Sequence, residues 1–353
     1  MTRTAQDTQR DAQVAAFLRR AGWEAAERAP LAGDASNRRY DRLRHADHGA
    51  AVLMDAPPER GEDIRPFAAL TFLLRGRGFS APEIYAGDES EGFLLLEDLG
   101  DDLFAAVTRQ RPAVEAELYE QAIDLLVDLH GQPAPEAAEG MGVVLPLDPY
   151  DGAVLRREAA LLTEWYLPGA LGAPTPPDLA AEFDALVDAA CAGVANSRET
   201  LVLRDYHAEN LIWRPERAGA QRVGLLDYQD ALVGHPAYDL VSLLEDARRD
   251  VAAPLSEAML ARYLDRSGRE AEPFYAAYAA LGAQRNLKII GIFARLWLRD
   301  GKDRYLAHIP RVWRHLERDL AHPAMAELRA WIAKHAPAPE PAVLASLRAR
   351  GAS

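Results

Sequence analysis

The sequence predicts a two-lobed α+β protein, with a five-stranded antiparallel sheet and a helix in residues 1–97 and a mainly helical lobe in residues 98–353. Three observations predict it. Up to Glu97 the apolar residues come in brief runs broken by turn residues, and from 112 onward they recur at helical spacing. Between two apolar runs of strand length lies a polar loop at 204–210, a rigid platform for polar groups.

Taken in order, Val14, Phe17 and Leu18 sit at helical spacing between Asp11 and Arg20, and Gly22 supplies a C-terminal cap. A first strand runs into Leu31, a Gly-Asp-Ala-Ser-Asn turn occupies 33–37, and further strands follow at Arg38–Arg44 and Ala50–Met54. Phe67, Leu70, Leu73 and Leu74 mark a helix ending at Gly76, after which Glu83–Ala86 and Gly92–Leu96 complete five strands. Residues 112–130 form a long Ala- and Leu-rich helix. Leu201–Leu203, Leu211–Trp213 and Val223–Leu226 read as a small hairpin set into the helical lobe. Stretches 131–149 and 168–177 read as connections, and the tail from Pro337 as loosely held.

Composition bounds the function. With 49% hydrophobic and 27% charged residues the chain is globular, which excludes disorder as its main state. Forty basic against 54 acidic residues leave a net charge of −14, which repels a phosphate backbone and favours a small-molecule substrate over nucleic acid. Apolar runs as short as Phe93–Leu96 cannot cross a membrane, and the N-terminus lacks the apolar stretch of a secretory signal. A cytoplasmic monomer is expected. The single Cys191 allows neither an intramolecular disulfide nor a thiolate metal cluster and reads as a small buried hydrophobe.

The chemistry concentrates in Leu201-Val-Leu-Arg-Asp-Tyr-His-Ala-Glu-Asn210. Asp205 and Asn210 share the polar loop, and Asp227 ends the next apolar run, seventeen residues after Asn210. Asp-x-x-x-x-Asn followed by a strand-terminal Asp is the arrangement of phosphoryl-transfer enzymes with the protein-kinase fold, in which the first Asp orients the attacking hydroxyl and the other two hold Mg²⁺. Asp and Asn are common turn formers, and Asp205 taken alone reads more often as structural. Their conjunction with a sheet-rich first lobe and a hinge-like Leu94–Gly100 favours phosphoryl transfer.

The run Arg204–Leu211, with Asp227-Tyr-Gln-Asp-Ala and Gly234-His-Pro-Ala-Tyr-Asp-Leu after it, resembles the aminoglycoside phosphotransferase family of small-molecule kinases. Gly33–Tyr40, Met54–Glu59, Glu164–Leu167 and Gln284–Leu296 are similar to its branch of anomeric N-acetylmuramate and N-acetylglucosamine kinases, from about residue 31 to about 300. The resemblance implies a protein-kinase-like fold, ATP and Mg²⁺ as cofactors, and phosphorylation of an amino-sugar anomeric hydroxyl in cell-wall recycling. It implies Asp205 as base and Asn210 and Asp227 as metal ligands. It also implies Gly33, Ser36 and Asn37 in a phosphate-covering turn, a hinge at 95–98 including Glu97, and Val52 and Leu96 as adenine-pocket walls. Alternatives are a kinase of another alcohol, such as an aminoglycoside or choline, and a weakly catalytic nucleotide-binding pseudokinase.

Two departures stand out. Leu203 occupies the place of the family's usual His, and the third strand, Ala50–Asp55, has no lysine for the ATP phosphates; no lysine precedes Lys288. Arginine can replace it, since its fork satisfies phosphate oxygens. Arg38 and Arg42 share one strand face and are the candidates, with Glu59 or Glu62 as the helix partner; a solvated strand edge is the competing reading. His207 is placed to bond a sugar hydroxyl or to organise the loop. Glu158, Trp165 and Tyr166 form an acidic and aromatic segment that either lines the sugar site or packs in the core. Arg285 is suited to a lactyl carboxylate or to an internal ion pair.

Overall fold

The structure is a computed structural model that describes residues 5–31 and 37–351. Along the chain, helix α1 (Ala5–Arg20) precedes strands β1 (Glu27–Pro30), β2 (Arg39–His45) and β3 (Gly49–Asp55). Then come α2 (Arg65–Gly76), β4 (Ile84–Asp88), β5 (Phe93–Glu97), α3 (Phe104–Gln110), α4 (Glu115–His130), β6 (Ala137–Gly140) and β7 (Val143–Pro146). Helix α5 (Gly152–Ala159) leads through a π-helical turn, Leu162–Tyr166, into α6 (Leu167–Leu171) and α7 (Pro177–Cys191). Strands β8 (Thr200–Val202), β9 (Leu211–Trp213), β10 (Val223–Leu225) and β11 (Leu232–Gly234) follow. The chain ends in α8 (Ala237–Leu244), α9 (Ala253–Ser267), α10 (Ala271–Leu298), α11 (Ile309–Leu320), α12 (Ala326–His335) and α13 (Pro341–Arg350).

These elements form two compact units. The first comprises the chain up to Val107 with Glu136–Pro146 and Asn210–Asp230; the second comprises Thr108–Pro135, Leu147–Glu209 and the chain from Ala231. The single cut expected after Glu97 is therefore replaced by a division with two returns of the chain to the first unit. The reason is hydrogen bonding: Leu225 N donates to Ser80 O at 2.9 Å, Trp213 N to Asp102 O at 2.8 Å, and Ser80 Oγ to Gln221 O at 2.9 Å. The hairpin β9–β10 thus belongs to the first unit.

In that unit the sheet order is β1-β2-β3-β5-β4, antiparallel throughout. Period two puts Leu43, Ala51, Leu53 and Leu95 on one face, where with Phe93 they bury Val14, Phe17 and Leu18 of α1. The registers Arg42↔Val52 and Val52↔Leu96 put these three residues together on the other face. Gly92, at φ +71°, lies where a Cβ would be 2.0 Å from Ala56 O, so the turn before β5 requires glycine.

In the second unit α10 is the central helix, with fifteen of its residues buried, and all eight residues of α8 are buried. β8 pairs with β11 rather than with β9. Three expectations are corrected. The connection at 131–149 contains the β6–β7 hairpin, and that at 168–177 begins inside α6. The tail is held: α13 buries Leu347 completely, and Trp297 Nε1 donates to Leu347 O at 2.9 Å. Cys191 is buried, and burial pushes its thiol up to about 12.

Candidate active site

Asp205 stands in the loop after β8, in the second unit. Leu203 N and Arg204 N donate to Asp239 Oδ2 and Oδ1, each at 2.8 Å, and Asp239 is wholly buried in α8. This charge-assisted bridge holds Arg204 at φ +69°, a left-handed conformation unusual for a side chain of that size. Burial works to raise the Asp205 carboxyl, yet the positive charges of Lys288, Arg285 and Arg204 hold it below its ordinary value, so it is ionised at neutral pH. His207 adds no charge there, because burial pushes its imidazole down to about 4. Its Nε2 accepts from Arg248 Nη1 at 3.0 Å, and Arg248 Nε lies 3.1 Å from Glu209.

Glu158 lies in the same unit and is fully engaged. Its carboxylate accepts from Arg204 and Tyr150, from Lys288 Nζ at 2.9 Å and from Gln284 Nε2 at 3.3 Å. Such a carboxylate has little left for a sugar hydroxyl, so the sugar-lining expectation is corrected: Glu158 organises the loop. Tyr166 is likewise core, completely buried, with its hydroxyl donating to Pro337 O at 2.7 Å. Trp165 is half-buried on the π-helical turn. Arg285, 5% exposed, donates from Nη2 to Ser242 Oγ at 2.9 Å, and its buried Nη1 has no hydrogen-bond partner among the described residues.

Asn210 and Asp227 fall in the first unit, at the two ends of the β9–β10 hairpin. Leu226 N donates to Asn210 O at 2.9 Å, and Asn210 Nδ2 lies 3.4 Å from Asp227 Oδ2. Asp227 takes φ +58°, and Gln229 Nε2 donates to its Oδ1 at 2.7 Å. Next to it, Tyr228 is clamped by Thr71 (Oγ1 to hydroxyl, 2.6 Å) and stacked on Phe67 at 5.1 Å between centroids. One carboxylate and one amide oxygen, both hard donors held together, suit Mg²⁺ bound through a nucleotide's phosphates. No group of three or more His, Cys, Asp or Glu that could hold a metal occurs among the described residues.

The same unit separates the two arginine candidates. Arg38 Nε pairs with Glu62 Oε2 at 2.8 Å, both nearly buried. Tyr40, beside them, is raised by burial and feels the charges of Arg38, Asp227 and Glu62, so this pair and the metal-ligand candidate share one neighbourhood. Arg42 instead binds Asp101 through Nη1 at 2.7 Å and Asp98 through Nη2 at 3.1 Å. Asn37 N donates to Glu62 Oε1 at 3.1 Å. Gly33 and Ser36 lie outside the described residues. Val52 and Leu96 are register partners; the Glu97 amide donates to Glu83 O at 2.8 Å and its carboxylate takes Arg214 at 3.0 Å.

Sequence reasoning did not single out Asp239, Lys288 or Thr71. Asp239 lies in the Tyr-Asp-Leu block and Lys288 in the Gln284–Leu296 block quoted above, so a signal existed for both; Thr71 is known only through its contacts across the fold.

Comparisons with known proteins follow this geometry. Residues 27–280 match the model of a family described as "Phosphotransferase enzyme family". A Caulobacter vibrioides protein named N-acetylmuramate/N-acetylglucosamine kinase is 40% identical, covering 94% of this chain and 98% of that one. A Pseudomonas aeruginosa protein of the same name is 39% identical over 86% and 87%. The solved structure of amicoumacin kinase hAmiN superposes with a TM-score of 0.59 at 13% identity, covering 89% of this chain and 96% of that one, a likeness of fold alone.

Proposed function

The chain belongs to the phosphotransferase enzyme family, and from that premise we propose that it transfers the γ-phosphoryl group of ATP to the anomeric hydroxyl of N-acetylmuramate and N-acetylglucosamine. The observation that carries the substrate is the 40% identity, over nearly the whole of both chains, to a kinase named for these two sugars. No helix among the described residues is long and apolar enough to cross a membrane. We place the activity in the cytoplasm, where ATP is, on a monomer, and assign it to cell-wall sugar recycling.

Phosphoryl transfer needs positioning and charge neutralisation more than covalent chemistry. Ionised Asp205 accepts a hydrogen bond from the anomeric hydroxyl and orients its oxygen. As the sugar O–Pγ bond forms and the bond from Pγ to the β-bridging oxygen breaks, the hydroxyl proton passes to Asp205 and ADP leaves. Asn210 and Asp227 would hold Mg²⁺, which when bound neutralises charge on the β- and γ-phosphate oxygens. Arg38, held by Glu62, takes the part of the missing strand lysine; Arg42 is occupied by Asp98 and Asp101.

The test is turnover of the purified chain with ATP and Mg²⁺ on each sugar, with choline and an aminoglycoside as controls and ³¹P NMR of the product. A sugar 1-phosphate is expected. Transfer to a control alone would overturn the substrate, and nucleotide stabilisation without any product would make the chain a pseudokinase.

A further inference from the structure

Helix α10 meets the residues that follow α5 so closely that Gly291 leaves no room for a side chain. A Cβ on Gly291 would lie 2.3 Å from Leu161 C, so backbone touches backbone at this crossing. One turn back on each segment, Lys288 Nζ meets Glu158 Oε1 at 2.9 Å. A further turn back, Gln284 Nε2 donates to Leu155 O at 3.0 Å and reaches Glu158 as well. The same Glu158 grips Arg204, the residue joined to Asp205. One carboxylate, 12% exposed, therefore ties α5, α10 and the Asp205 loop together.

Fold stability gives little reason for such a cluster, since a buried ion pair rarely stabilises more than apolar packing of the same volume. Its effect is to deliver an ammonium group to the loop. Lys288 is 16% exposed at its side chain, and of the charges around Asp205 it acts on that carboxylate most strongly. Arg204 and Arg285 are planar forks anchored at one end, Arg204 by Glu158 and Arg285 by Ser242 through Nη2. An ammonium is a compact charge with three rotatable donors, suited to following a group that moves.

We propose that Lys288 is a catalytic residue of this kinase: Glu158, a positioning residue, holds its ammonium beside the Asp205 loop, where it donates a hydrogen bond to the phosphoryl group passing from ATP to the sugar oxygen. The inference rests on the phosphotransferase reading above. Lys288 keeps its protons throughout, and the hydroxyl proton still goes to Asp205.

The experiment compares wild type with Lys288→Met, Lys288→Gln, Lys288→Arg and Glu158→Gln, each checked for native melting, on both sugars across pH 5–9. Lys288→Met is expected to lower kcat about 10²–10³-fold, the range for one preorganised donor to a developing charge, with ATP and sugar KM nearly unchanged. Lys288→Arg recovers part of the loss, and Glu158→Gln shows a smaller one. The acid limb of kcat/KM moves to higher pH, because Asp205 loses the largest opposing charge while Arg204 and Arg285 remain. Lys288→Gln, uncharged and one bond shorter, stands in if the Met variant does not fold, and is expected to show the same shift of the acid limb with a smaller loss of kcat. Affinity for ADP with aluminium fluoride and sugar gives a readout apart from turnover, and is expected to drop with kcat. Wild-type kcat with an unshifted acid limb overturns the proposal. So does a loss confined to the acidic sugar, which would make Lys288 a carboxylate reader. A wild-type chain that phosphorylates neither sugar refutes the substrate reading instead, and the aluminium fluoride measurement without sugar still decides the role of Lys288.

Discussion

Arg38 and Arg42 share a strand face and cannot be told apart by alternation, but their partners differ: Arg38 has Glu62 and lies near Tyr40 and Asp227, whereas Arg42 has Asp98 and Asp101. Arg38→Ala is therefore expected to weaken ATP binding by about 1.5–3 kcal/mol, the value of a charge-assisted contact, and Arg42→Ala to weaken it much less. Calorimetric titration of both variants with ATP and Mg²⁺ checks this; equal affinities would place the phosphate charge elsewhere. Asp205→Asn keeps the loop's shape but loses the proton acceptor, so kcat is expected to fall about 10²–10⁴-fold while ATP affinity stays as in wild type, measured by steady-state turnover beside the same titration. That Asn210 and Asp227 come together was legible in the sequence, because a single short hairpin spaces them. Glu158, Lys288 and Asp239 were not, or not for their parts, because their partners lie 46, 130 and 35 residues away and only packing brings them together.

At the scale of elements, legibility followed periodicity. The five strands of the main sheet and α2 announce themselves as brief apolar runs bounded by turn residues and as an apolar helical stripe, and each lies within a few residues of its expected span. The β6–β7 hairpin, Ala137–Gly140 and Val143–Pro146, escaped notice because its strands are short and carry Glu139, Gly140 and Pro146; what shapes it is packing on α2, where Gly140 comes so close that a Cβ would meet Ala69 Cα at 3.0 Å. The tail misled for a different reason. Its prolines and small residues suggest loose chain, yet Pro341 sits in the first turn of α13, where proline is favoured, and Leu347 closes over Gly169 and Leu298. Leu347→Ala is accordingly expected to cost about 2–5 kcal/mol, seen as a lower urea midpoint. A midpoint like that of wild type would mean that α13 contributes nothing to the second unit. The contact of α10 with Leu161, just after α5, predicts a sharper effect: Gly291→Ala must push Leu161 aside, costing about 1–3 kcal/mol as other overpacked sites do, and is expected to lower kcat as well by separating Glu158 from Lys288.

For the whole molecule, opposing sets of buried groups govern stability against pH. Burial pushes His207, His235 and His315 down to about 4, whereas in the unfolded chain they take up protons near 6.5. As pH falls from about 6.5 to about 4 the unfolded state therefore binds more protons, and stability falls. The buried carboxyls of Glu245 and Asp319 work the other way. Burial raises both, Asp319 well above its ordinary value, and Asn286 Nδ2 bridges them at 2.7 and 2.9 Å, so the folded pair keeps a proton that the unfolded chain has released. That proton makes stability fall as pH rises from the ordinary carboxylate range until the folded pair releases it. Where the two windows overlap, three histidines outweigh one shared proton, and stability rises with pH. Above the histidine range only the carboxyl pair and the growing repulsion of a chain already at −14 remain, and the slope reverses. Stability is expected to peak near pH 6.5 and to decline toward pH 9 by up to about 1.4 kcal/mol per pH unit for each retained proton. Urea unfolding at half-unit steps from pH 4.5 to 9 tests this. Asp319→Asn, which removes the need for the proton, is expected to flatten the alkaline side and leave the acid side as it was; an alkaline slope unchanged in that variant would assign it to general charge repulsion.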